Sequence, residues 1–358
     1  MRFPSPCRLL RSGAAALLLA GCADDVPQSP SDAAGAPELA SLGTSLYDAG
    51  DAALGLHGAC TRQAYRQFDF WLGKSEITDP AGNPAGTNII SKGLDGCAVL
   101  ENYEASGFVG RSLNSYDRAT NQWHQHWVDH QGAILDLYGG VQGGAMVMQG
   151  IRPTPAGEVL DRITWTPLPQ REVRQLWETS TDGGQTFPGV VFDGIYHKRQ
   201  SLVREPEIPQ AFCTDQTLPA LFQFDFTLGE WKAELVEPGR SPEVRSTVSK
   251  DLSGCLIEER IKGRDGYEAI VFTSVRRRLG IWVKTFVDNR GTNVFLKGGE
   301  TDGQMVLTGT MPARHGGSKQ VRVTWTEKTP DRFVQRWETT DDGGATWKRL
   351  FKVRYTRR

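Results

Sequence analysis

The sequence has little that would cross a membrane, act on a substrate or attract a polyanion. Past the first 21 residues it contains no run of about 20 apolar residues, so no helical span is expected. Helical periodicity is almost absent. Gly-x-Ser-x-Gly, His-Glu-x-x-His, a phosphate loop and zinc-type cysteine spacing are all missing, which lowers the standing of an enzyme without removing it. Neither sign of charge dominates: 41 Lys and Arg face 42 Asp and Glu, a formal net charge of −1. Such a chain has no global attraction for nucleic acid. The basic run Arg276-Arg277-Arg278 reads as a charged loop.

The first positive signal is N-terminal. Arg2, Arg8 and Arg11 precede the short apolar run "GAAALLLA". A basic stretch followed by an apolar core too short to span stably has the form of a secretory signal, here residues 1–21. The run ends at Leu19-Ala20-Gly21-Cys22, which resembles the bacterial lipobox, where the signal is cut before the cysteine and the thiol receives lipid. That resemblance implies Cys22 as a lipidated N-terminus, with the bilayer as partner. Each buried acyl methylene contributes roughly 0.8 kcal/mol. Ala23, rather than Asp, implies sorting to the outer membrane of the cell envelope, facing the periplasm. Ordinary secretion is the alternative. Cleavage would remove three arginines and no acid, taking the formal charge from −1 to −4. Residues 22–58 are expected to be a flexible tether, since "ADDVPQSPSDAAGAP" lacks the apolar side chains that offset ordering entropy. A short helix is expected over 38–56.

The remainder contains one domain twice. "QFDFWLGKSEI" at Gln67 returns as "QFDFTLGEWKAEL" at Gln223, "LDGCAVLENYE" at Leu94 as "LSGCLIEERIK" at Leu252, and "RITWTPLPQREVRQLWETSTDGGQTF" at Arg162 as "RVTWTEKTPDRFVQRWETTDDGGATW" at Arg322. The offset drifts only from 156 to 160. The copies are assigned to 59–199 and 213–358, each long enough for its own core, with 200–212 as a charged, proline-bearing linker. Cys60 and Cys97 correspond to Cys213 and Cys255. An even, recurring set in an exported chain points to disulfides Cys60–Cys97 and Cys213–Cys255, against the alternative of four buried thiols.

Within each copy, segments such as "LENYEA" and "RITWT" alternate with period two, and Gly and Asp-Gly breaks recur every 10–15 residues. About ten strands per copy are expected. A meander of that size most simply closes on itself and loses its edges. The expected fold is all-β: two tandem antiparallel up-and-down barrels.

"FDFWLG" and "FDFTLGEW", the mid-domain Gly-Cys and the terminal "DGG-x-T-F/W" together resemble a bacterial family of unknown function with calycin-like barrels. Gly229-Glu230-Trp231 is similar to the Gly-x-Trp opening of lipocalins. The resemblance implies a barrel with an interior cavity and carries no catalytic residues or cofactor. The first copy departs from it, with Ser75 in place of the tryptophan, and Trp71 is expected to fill that space. "STDGGQTF" and "TTDDGGATW" also match the Asp-box of sialidase-like propellers. Propeller blades recur every 40–50 residues or so, whereas these boxes lie 160 apart. They are therefore expected in the last hairpin of each barrel.

"WHQHWVDHQG" places His124, His126 and His130 within seven residues. In a strand the first two share a face, about 6.5–7 Å apart, a spacing that suits a shared metal once a third ligand arrives. The second copy reads "WVKTFVDNRG", with Val283, Thr285 and Asn289 in their places. The fold therefore does not need the imidazoles. The open readings are a metal site peculiar to the first copy, serving a metal-assisted enzyme, and incidental histidines on a solvent-facing or cavity-lining strand. A haem site involving His197 lacks its glycine-rich opening motif. Asp129 recurs as Asp288, which fits a turn.

Alternation also sorts the faces. Val99, Glu101 and Tyr103 share one, as do Ile257, Glu259 and Ile261; Val173, Gln175 and Trp177 share another, mirrored by Phe333, Gln335 and Trp337. Each copy thus places Glu, Gln and Trp inward, while Arg174, Glu178, Arg336 and Glu338 face out. Buried polar groups need partners. Either they bond one another, or they orient a small, partly apolar ligand in the cavity. The alternative function is a packed structural or protein-interaction module of the envelope. Replacing Cys22 with Ala is expected to move the protein from the membrane to the soluble fraction; continued membrane fractionation would remove the lipid anchor.

Overall fold

The computed structural model describes residues 60–202, 212–236, 243–313 and 317–358. The signal peptide, Cys22, the tether and helix of 22–58, and most of the expected linker lie outside the described residues.

Two closed ten-strand antiparallel barrels account for the described chain. The first comprises β1 (Gly73–Thr78), β2 (Pro84–Gly93), β3 (Ala98–Ala105), β4 (Phe108–Asp117), β5 (Gln122–Asp129), β6 (Ile134–Gln142), β7 (Ala145–Thr154), β8 (Gly157–Pro167), β9 (Val173–Ser180) and β10 (Gly189–Arg199). The second comprises β11 (Gly229–Leu235), β12 (Val244–Asp251), β13 (Leu256–Gly263), β14 (Glu268–Arg276), β15 (Ile281–Asp288), β16 (Asn293–Thr301), β17 (Gln304–Pro312), β18 (Ser318–Thr329), β19 (Arg332–Thr340) and β20 (Lys348–Arg357). Each strand pairs with its chain neighbours. β1 closes on β10 and β11 on β20, so neither sheet keeps a free edge.

The "FDF" segments form short 3-10 turns that lead into the first strand of each copy. Phe68 and Phe224 are fully buried against Trp123 and Trp165, and against Trp282 and Trp325. The exchanged tryptophans also find equivalent employment. Trp71 stacks on Phe68 and meets Trp165, whereas Trp231 packs on Phe333, and both are fully buried. One copy combines Trp71 with Ser75, the other Thr227 with Trp231, so one indole fills the region in either case.

The Asp-boxes form the last hairpin of each barrel. Asp182 accepts from Ser180 Oγ at 2.6 Å and Thr186 Oγ1 at 2.6 Å; Asp342 repeats this with Thr340 and Thr346. Glu338, expected in solvent, is nearly covered, beneath Arg322 and Arg336.

Both disulfides form as expected, Cys60–Cys97 and Cys213–Cys255, closing separations of 37 and 42 residues. Each ties the lead-in to the turn before the third strand of its barrel. Cys60→Ser is expected to lower stability by roughly 2–5 kcal/mol, the usual cost of removing a native bridge. A thermal melt in which the midpoint moves by less than about 2 °C would contradict this.

Candidate functional site

The three histidines face neither solvent nor a barrel interior. Alternation on β5 sends Trp123 and Gln125 inward and His124, His126 and Val128 outward, and the outward face is buried by the second barrel. There β4, β5 and β6 meet β14, β15 and β16. His126 Nδ1 lies 3.0 Å from Thr285 Oγ1 and Nε2 lies 2.8 Å from Ser274 Oγ. Thr285 is the residue that replaces His126 in the second copy, so the two copies meet like against like at this point.

His124 Nε2 sits 2.5 Å from Asp136 Oδ1, and Lys297 of the second barrel pairs with the other carboxylate oxygen. Burial opposes ionisation of Asp136, but the hydrogen bond and charge of His124 and the ammonium of Lys297 hold it well below the usual carboxylate range. His130 accepts from Val109 N at 3.4 Å and packs between Phe108 and Phe212. No group of three or more His, Cys, Asp or Glu among the described residues is arranged to hold a metal ion. His197 is occupied by Glu172 at 2.6 Å and Thr78 at 3.0 Å.

The turns after β5 and β15 interlock reciprocally. Asp129 Oδ1 accepts from the backbone N–H of Gln131 and Ala133; Asp288 Oδ1 does so from Arg290 and Thr292. Gly132 and Gly291 follow, both at φ +79°. A Cβ on Gly132 would lie 3.1 Å from Cys213 Sγ, and one on Gly291 3.4 Å from Cys60 Sγ. Each turn is therefore pressed against the other barrel's disulfide, where positive φ and lack of space both favour glycine.

The expected inward set is inward. In the first barrel Glu101, 4% exposed, accepts from Asn88 Nδ2 and Ser112 Oγ, both at 2.7 Å. Asn114 donates to Ser112 Oγ at 2.8 Å, and Gln125 donates to Asn114 Oδ1 at 2.8 Å. Gln175 Oε1 accepts from Trp165 Nε1 at 2.8 Å and Tyr196 OH at 2.6 Å. Tyr103 OH donates to the Ala85 carbonyl at 2.5 Å, and Trp177 Nε1 to Asp161 at 2.9 Å. Burial pushes the Glu101 carboxyl up to about 7, although Ser112 and Asn88 favour its charge.

The second barrel solves the same problem with charge. Lys284 stands where Gln125 stands, and its Nζ lies 3.6 Å from Glu259 Oε2 and 3.2 Å from Thr273 Oγ1. Glu259 Oε1 accepts from Ser246 Oγ at 2.7 Å and Tyr355 OH at 3.3 Å. Burial lowers the Lys284 ammonium, against the pull of Glu259. Gln335 Oε1 here accepts from Trp337 Nε1 at 3.2 Å rather than from the cross-barrel indole. That leaves Trp325 Nε1, fully buried, with no hydrogen-bond partner. Trp325, Lys284, Glu259 and Gln335 line a cavity with Phe224 and Phe333; it offers about 10 Å³ to the centre of a water-sized sphere. That is about what one water requires.

Parity on two strands per copy had found Glu101, Gln175, Glu259 and Gln335 but missed Lys284 and Asp161. Both were legible: Lys284 alternates with Trp282 and Phe286, and Asp161 with Ile163 and Trp165. The orphaned indole was not, because Trp165 and Trp325 read identically in sequence.

No family model and no curated protein matches the sequence. Among solved structures the chain is similar to a protein of unknown function of the DUF3598 family from Nostoc punctiforme. The identity is 12%, covering 83% of this chain and 100% of that one, with a TM-score of 0.22. So low a score carries no argument about function.

Two pH dependences follow. The folded protein refuses a proton on His126 until about pH 3, because burial disfavours the imidazolium, whereas the unfolded chain accepts one near 6.5. This residue therefore withdraws stability as pH falls from about 6.5 towards 3, and His126→Gln should show a smaller loss between pH 6.5 and 4 in denaturant titrations. Glu101 runs the other way: its folded value lies above its unfolded one, so its contribution is full below about pH 4.5 and is lost as pH rises through 7. Relative to the wild type, Glu101→Gln should gain on the order of 3 kcal/mol between those limits; parallel stability profiles would refute the raised carboxyl.

Proposed function

We propose that the chain is an envelope lipoprotein, anchored through acyl chains on Cys22, whose second barrel receives a small, partly apolar ligand. The first barrel serves as its packed support. One observation carries this reading: the Glu259–Lys284 pair and the unpartnered Trp325 indole N–H border the same aromatic-lined space. An apolar cavity with a few converging polar groups is the usual form of a small-molecule site. In the first barrel the corresponding glutamate accepts from Asn88 and Ser112, and Asn114 and Gln125 extend that chain of hydrogen bonds.

The space is small, so only the polar tip of a ligand enters without side-chain movement. A second reading, an envelope interaction module with both barrels packed, draws its support from the hydrogen-bonded chain around Glu101 in the first barrel.

Native mass spectrometry of the purified protein tests the choice. A small molecule bound one to one in the wild type, and lost from Thr273→Asn, is expected, because that change puts the first barrel's bulkier residue into the cavity wall. No bound molecule in any preparation, together with retention of protein partners from solubilised envelope, would decide for the packed module.

A further inference from the structure

We infer that the second barrel recognises an uncharged oxygen acceptor, such as the carbonyl of a ketone, ester or amide, through Trp325 Nε1 and Lys284 Nζ. This rests on the reading of that barrel as the ligand site and specifies what the site selects.

The argument is a count of donors and acceptors around one cavity. Glu259 Oε1 already receives Ser246 and Tyr355, and Oε2 faces Lys284. Gln335 Oε1 receives Trp337. Thr227 Oγ1 donates to the Phe224 carbonyl at 2.7 Å. The acceptors lining the space are therefore engaged. Two donor groups exceed them. The Trp325 indole N–H has no partner and is fully buried. Lys284 Nζ carries three protons when charged and meets Thr273 and Glu259, with its remaining direction lying over the Trp325 ring, 5.6 Å from the centroid. A buried donor left without an acceptor is costly, so the space favours an atom that accepts.

In the counterpart barrel the corresponding indole is partnered, although Trp71 Nε1 there, on the lead-in, has no partner. Trp165, at the corresponding position, donates to Gln175 at 2.8 Å. In the second barrel the matching glutamine serves Trp337 instead. The exchange of Gln125 for Lys284 adds a second strong donor at the same level. Thr273 for Asn114 removes an amide that occupies this region in the first barrel.

Charge narrows the class. Lys284 and Glu259 cancel, leaving the interior neutral. A carboxylate or phosphate would bring an uncompensated charge into a buried interior, where desolvation opposes it. An ammonium would add donors where donors are already in surplus. A neutral oxygen avoids both penalties. Phe224, Val248, Ile257 and Phe333 line the same small space, so the oxygen enters as it stands and the apolar remainder of the ligand requires these side chains to move.

The test uses the full chain carrying Cys22→Ala, with tryptophan indole N–H groups and phenylalanine rings labelled, and three probes of one skeleton: cyclopentanone, cyclopentane and cyclopentanecarboxylate. Trp325→Phe assigns the resonance, and Trp165, already bonded, is the internal control. Cyclopentanone is expected to move the Trp325 signal saturably while Trp165 stays in place, with the other two probes binding at least about fivefold more weakly, as for one net hydrogen bond. Trp325→Phe should reduce that preference without lowering the melting temperature enough to unfold the protein. If cyclopentane perturbs the Phe333 ring as tightly as the ketone does, ligands enter but oxygen is not selected: the acceptor inference falls and the binding reading stands. Tighter binding of the carboxylate overturns the uncharged class alone. If no probe perturbs Trp325 or Phe333, both the inference and the ligand-binding reading fail.

Discussion

Sheet closure is the constraint from which the rest follows. Once β1 meets β10 and β11 meets β20, alternate residues along the middle of each strand turn inward and are largely buried. A polar side chain on that face can no longer turn to water. Each barrel carries a glutamate there, Glu101 or Glu259, and must supply its partners from neighbouring strands. The two copies do so differently. The first gives the carboxyl an amide and a hydroxyl, and burial raises its proton affinity against both. The second brings a lysine and forms an ion pair. The first gives the Trp165 indole an acceptor; the second leaves the matching Trp325 without one.

The same closure gives each barrel an outer face free to evolve separately. On β4 to β6 and β14 to β16 those faces became each other's cover. The match of His126 with Thr285 places related positions opposite one another, and the reciprocal seating of Gly132 and Gly291 on the partner's disulfide repeats the relation at the periphery. The disulfides therefore act twice: each closes a loop in its own barrel and forms the seat for the other barrel's turn. Divergence at this face was asymmetric. Asp136 and Lys297 complete an ion pair across it, whereas their counterparts Phe295 and Tyr138 are aromatic and pack near His124.

Much was legible without coordinates. Duplication, strand number, the cysteine pairing and the inward parity of Glu101, Gln175, Glu259 and Gln335 were readable because period-two alternation and internal repetition are local properties of the chain. Asp129 was readable as a turn residue because its copy survived as Asp288 when the neighbouring histidines did not. The histidines themselves were not readable. Strand spacing gives the face a side chain shares, and the identity of what lies opposite comes from elsewhere in the chain.

The sequence alone thus determined two closed barrels, their covalent ties and which side of each strand is dry, since these depend on alternation, turn chemistry and repeat. Only the tertiary structure decided that the histidine strand faces the sister barrel. It alone decided that one glutamate is held by an amide and a hydroxyl and the other is paired with Lys284, and that Trp165 is bonded while Trp325 is not. Those outcomes depend on distances between atoms ten or more residues apart in the chain and in different strands. A fraction of an ångström there separates a completed hydrogen bond from an open one.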